Sequence, residues 1–76
     1  MSSKYRRYIK KLTDKELVLA IASAQNSVEL GERRIMDLEL AADVDEGELK
    51  SNYTLLRVMN AHLKMLNMEQ RRRENE

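Results

Sequence analysis

Apolar residues recur along this 76-residue chain in two long helical patterns and one short one. The sharpest runs through Leu17, Ile21, Ala24, Val28, Gly31, Ile35, Leu38 and Ala42, in alternating steps of four and three. At 3.6 residues per turn that series forms one stripe, the seam of a coiled coil. Gly31 is the odd member, because glycine in a helix interior costs about 1 kcal/mol relative to alanine. The pattern keeps its phase across it, which favours a continuous helix with a close neighbour at Gly31 over a break there. Leu19, Leu30 and Leu40 fall roughly opposite the seam at ~100° per residue. A helix that is apolar on two faces buries both, and one neighbour from its own chain covers only one. Leu17, Ile21, Val28, Ile35 and Leu38, with Leu19, Leu30 and Leu40, are therefore the candidate oligomer or partner interface.

A second stripe, Leu49, Tyr53, Leu56, Met59, Leu63 and Leu66, predicts another long helix, widened by Leu55, Val58, Met65 and Met68. The short pattern is Tyr5, Tyr8, Ile9 and Leu12 at i, i+3, i+4 and i+7, one face of an N-terminal helix that Ser2 or Ser3 could cap. Between the short helix and the first long one, Thr13 is a good N-cap and Glu16 its capping-box partner. Leu12 and Leu17 flank them as a hydrophobic staple, and Asp14 complements the helix dipole.

The apolar pattern stops again in "ADVDEGELK", where Asp43 or Asp45 can cap a new helix with Glu46 or Glu48 as its partner. Gly47 reads there as a turn residue. The expected division is a basic helix over 1–12, a helix over 13–42, an acidic turn over 43–47, a helix over 48–72 that begins to wind from about Glu46, and a frayed tail over 73–76. The two long helices have matched lengths of ~40 Å at 1.5 Å per residue, which with a short connection predicts an antiparallel hairpin. The fold class is thus all-α: a long, coiled-coil-like hairpin with a short basic N-terminal helix, dimerising into a helical bundle.

Charge gives the rod two different ends. The net charge is +1, but residues 1–15 carry +5, residues 16–48 carry −7 and residues 49–76 carry +3. An antiparallel hairpin gathers Lys4, Arg6, Arg7, Lys10, Lys11, Arg71, Arg72 and Arg73 at a positive foot, with Asp43, Asp45, Glu46 and Glu48 at a negative tip. Two hairpins pairing antiparallel would set foot against tip.

Composition excludes more than it assigns. There is no cysteine, so disulfides and thiolate metal sites are out, and the single histidine, His62, cannot build an imidazole site. The carboxylates of "DVDEGE" lack the alternating twelve-residue spacing of a calcium-binding EF-hand loop. No glycine-rich phosphate loop is present, and His62 sits among apolar helix neighbours. No catalytic residue, metal, cofactor or small-molecule substrate is expected. No segment is apolar enough to span a bilayer or to form a signal-peptide core, so a cytoplasmic location is expected. What remains is a non-catalytic regulatory, inhibitory or assembly protein that works through helical surfaces, with itself and another protein as partners. The alternative is a nucleic-acid-binding regulator, in which the eight cations of the foot neutralise phosphates and a tyrosine stacks on a base.

Overall fold

The structure, a computed structural model, describes residues 3–76, Ser3 by its backbone alone. Those residues form three helices and no strand: α1 (Ser3–Lys11), α2 (Asp14–Leu40) and α3 (Glu46–Glu74). The expected cap at Ser2 or Ser3 lies outside the described residues and side chains. α2 and α3 pack as an antiparallel hairpin, and α1 lies against the far half of α3. The molecule is a rod of 51 × 21 × 16 Å.

α2 starts where its cap dictates. The Glu16 N–H donates to Thr13 Oγ1 at 3.1 Å, and the Thr13 N–H donates to Glu16 Oε1 at 2.8 Å, which completes the capping box. Thr13→Ala should therefore cost about 1 kcal/mol in urea unfolding, the usual loss for a hydroxyl cap. An unchanged unfolding midpoint would remove the box from the account of stability. The Glu16 carboxyl is held below its ordinary pKa by the Thr13 backbone N–H and then by the Thr13 hydroxyl.

The seam of α2 is buried inside the chain's own hairpin. Leu17, Ile21, Val28 and Ile35 are its buried residues, Leu38 is half-buried, and Leu19, Leu30 and Leu40 face outward. Four residues assigned from sequence to a partner interface are thus core. Periodicity marks a stripe that must be covered, but it does not say which chain supplies the cover. α2 runs unbroken through Gly31, whose missing side chain makes room for α3. A Cβ at that position would lie 2.9 Å from Met59 Cε and 3.2 Å from Leu56 Cδ1.

α2 ends two residues earlier than its pattern. Ala41 turns extended at φ −67° and ψ 144°, and Ala42 lies in the connection. The last turn carries Asp37 and Glu39 and no cation, so the negative end of the helix dipole meets like charge. Asp45 then caps α3 by accepting the Glu48 N–H at 3.1 Å. Gly47 sits in the first turn of α3 rather than in the connection, with no positive φ. The Glu48 carboxylate does not close a second capping box; it accepts a hydrogen bond from Arg34 of α2 at 2.7 Å.

Packing is tightest at the foot. Ile9, Leu17, Ile21 and Leu66, one or two from each helix, form the buried cluster, with Tyr5, Leu12, Ala20, Ala24, Leu63 and Met65 around it. Toward the tip the hairpin is held by the Arg34–Glu48 ion pair on one side and by Tyr53 donating to Glu39 at 2.9 Å.

Candidate functional site

α3 carries a line of residues at heptad spacing, Glu48, Leu55, His62 and Glu69, which puts all four on nearly the same face. Three of them have partners in the chain. Glu48 pairs with Arg34, His62 is stacked under Tyr5 with ring centroids 4.1 Å apart, and Glu69 is held by Arg72 and Arg73. Leu55 is 56% exposed, and Val58, three residues on, is 45% exposed. α1 covers this face at the foot and leaves it open at mid-rod. Leu30 of α2 is exposed as well, and it precedes Gly31, which meets Leu56 and Met59, so it lies level with that opening.

Glu69 organises the foot. It is only 7% exposed, yet it is charged and fully paired. Its Oε1 accepts from Arg72 Nε at 3.1 Å; its Oε2 accepts from Arg72 Nη2 at 2.7 Å and from Arg73 Nε at 2.8 Å. Arg73 reaches further. Its Nη1 donates to Asp14 of α2 at 2.9 Å, and its Nη2 donates to the Ile9 and Lys10 carbonyls at 3.2 and 3.4 Å. Those carbonyls belong to the last turn of α1, where a cation suits the dipole, and the Ile9 carbonyl also accepts the Leu12 N–H at 3.2 Å. Arg73 thereby ties all three helices together. Arg72 also pairs with Glu76, and α3 continues helical through Glu74 instead of fraying after residue 72.

Hydrogen bonds from Arg72 and then Arg73 hold the Glu69 carboxyl at about 2, well below its ordinary 4.5. A carboxyl depressed in the folded state stabilises fully above its unfolded value, and the contribution fades as pH falls through the folded one. Unfolding free energy should therefore decline between about pH 4.5 and pH 2. Glu69→Gln should flatten that decline in parallel urea titrations; an identical slope in both proteins would place the acid sensitivity elsewhere.

The cations predicted from sequence are thus of two kinds. Arg72 and Arg73 are engaged with Glu69, Asp14, Glu76 and the end of α1. Lys4, Arg6, Arg7, Lys10, Lys11 and Arg71 are exposed and, among the described residues, make no ion pair. Tyr5 is half-buried against His62, and Tyr8 is exposed.

Between α1 and α3 runs an open groove of about 450 Å³, with Ile9, Met65 and Met68 as its apolar lining and Arg6, Lys10, Arg72 and Glu69 as its charged residues, the Glu69 carboxylate being held by Arg72 and Arg73. The opposite end of the rod is acidic but not purely polar. Leu40 and Val44 are exposed there beside Asp43, Asp45 and Glu46.

Sequence reasoning missed Glu69. Its spacing to Arg72 and Arg73, three and four residues on, was visible as a local ion-pair pattern. Its burial depends on α1 folding back, which no local pattern encodes. Among the described residues no group of three His, Cys, Asp or Glu side chains could hold a metal ion, and no helix is long and apolar enough to cross a membrane. Set against known proteins, the chain matches no family model, no curated protein and no solved structure.

Proposed function

We propose that the protein is non-catalytic and acts through protein–protein contact: a homodimer of hairpins forming a coiled-coil-like bundle in the cytoplasm, which regulates, inhibits or assembles another protein. The observation that carries this reading is the amount of apolar surface left uncovered. Leu19, Leu30, Leu40, Leu55, Val58 and Met68 are all exposed, against six buried apolar side chains among the described residues. Its accessible surface is 6103 Å², against roughly 4,800 Å² for a compact monomer of the same mass. The surplus, about 1,300 Å², exceeds one partner's share of a standard interface, about 800 Å².

The second reading, nucleic-acid binding, is favoured by the cations of α1, which make no ion pair among the described residues, and by the exposed Tyr8 ring. It accounts for the foot alone and leaves the apolar mid-rod without a role. Fluorescence anisotropy with random-sequence duplex DNA and single-stranded RNA separates the two. No saturable binding is expected near physiological salt. Micromolar affinity that weakens steeply with salt would transfer the function to the basic foot and overturn the protein-binding reading.

A further inference from the structure

We propose that the groove between α1 and α3 receives the acidic tip of a second copy of this chain, so that two hairpins pair antiparallel across Leu55 and Val58. This rests on the homodimer reading above and specifies its geometry.

The two ends of the rod are complementary in charge and in apolar character. The groove offers Ile9, Met65 and Met68 beside Arg6 and Lys10, neither of which has an acidic partner among the described residues. The tip offers Val44 and Leu40 beside Asp43, Asp45 and Glu46. Opposite charges at the edge of an apolar contact select partner and orientation, while the apolar part supplies affinity.

Spacing along α3 makes the match self-consistent. From Glu46 at the tip to Met68 in the groove is 22 residues, or ~33 Å at 1.5 Å per residue. The midpoint is residue 57, flanked by Leu55 and Val58. When two α3 helices lie antiparallel about that point, the groove at Met68 of each stands at the height of the other's tip. A two-fold axis there brings each central patch against its own copy, as an isologous interface requires. The operation that pairs the mid-rod patches thus brings each acidic tip level with the basic groove of the other copy. A parallel pair would instead set foot against foot, with the α1 cations of both copies facing each other.

The test is a charge exchange read by sedimentation equilibrium, with circular dichroism confirming each fold. One variant reverses the foot, Arg6→Glu with Lys10→Glu. The other reverses the tip, Asp43→Lys with Glu46→Lys. All four side chains are exposed and none makes an ion pair among the described residues, so the monomer should tolerate both. Each variant alone should self-associate roughly 30-fold more weakly than the wild type, because like charges then meet at both ends of the pair. An equimolar mixture should recover dimer to within about threefold of the wild type, since both tip–foot contacts become attractive again.

A wild-type dimer indifferent to both reversals, or a foot variant that pairs best with the wild type, would overturn the antiparallel docking and leave the homodimer standing. A wild type that stays monomeric up to millimolar concentration would overturn both. As a second variant at the centre, Val58→Glu should abolish the dimer while preserving helical content, by placing two carboxylates at the axis. A Val58→Glu protein that still dimerises normally would overturn the proposed centre of the interface.

Discussion

Leu66→Ala should destabilise the protein by about 3 kcal/mol, mid-range for truncating a buried leucine. Leu66 is 2% exposed and Leu17 1%, the most completely buried large side chains among the described residues. The cluster around Leu66 takes Ile9 from α1 and Leu17 and Ile21 from α2, so one deletion opens a cavity bordered by all three helices. A chain of this length holds roughly 4–11 kcal/mol in total, at 0.05–0.15 kcal/mol per residue, so the loss is a large fraction of the whole. Leu55→Ala removes the same atoms from an exposed position and should cost under about 0.5 kcal/mol in the monomer. Urea unfolding at fixed, low protein concentration gives both numbers without a contribution from self-association. If Leu66→Ala cost no more than Leu55→Ala, the foot could not be the structural core.

The contrast between those two leucines also marks what was readable in the sequence. The helix entrance at Thr13 was legible because a capping box is local: two residues at fixed spacing satisfy each other's backbone N–H. The unbroken α2 was legible because the stripe keeps phase through Gly31. The hairpin followed from two stripes of similar length joined by a short acidic segment. Gly47 was misplaced because a glycine between charged residues reads as a turn, whereas Asp45, two positions earlier, already fixes the first turn of α3 around it. The ownership of the seam was not legible at all. Leu17, Ile21, Val28 and Ile35 form a stripe that any helix could cover, and it is α3 and α1 of the same chain that do so. Leu19, Leu30 and Leu40 face outward, and Leu55 and Val58 are exposed as well for a reason only the fold supplies: α1 is too short to cover that face.

The same shortness makes the attachment of α1 sensitive to a single side chain. Arg73→Met should loosen α1 far more than Arg72→Met does. Both arginines pair with Glu69, but the side chain of Arg73 is 17% exposed and that of Arg72 51%. Only Arg73 reaches across to the Ile9 and Lys10 carbonyls and to Asp14. Methionine keeps an unbranched apolar stem and discards the guanidinium. The last turn of α1 then loses its cationic cap, and Glu69 is left at the foot with one of its two cations gone. Removing one partner of a buried charge costs more than never having had the pair, because the remaining charge stays desolvated. Among the described residues, the other contacts that hold α1 include Ile9 in the cluster, Tyr5 on His62 and the flanking Leu12. Cleavage by trypsin after Arg6, Arg7, Lys10 or Lys11 requires α1 to lift, so its rate reports the local opening. That rate should rise about tenfold in Arg73→Met and by less than about twofold in Arg72→Met, each tenfold step in the opening equilibrium being one factor of ten in cleavage when reclosing is fast. Glu69→Leu combined with Arg73→Met should recover part of the loss, since an apolar side chain needs no cation beside it. Equal cleavage rates in the two single variants would mean that α1 is held by its apolar face alone. The bonds from Arg73 to the end of α1 would then add nothing to its attachment.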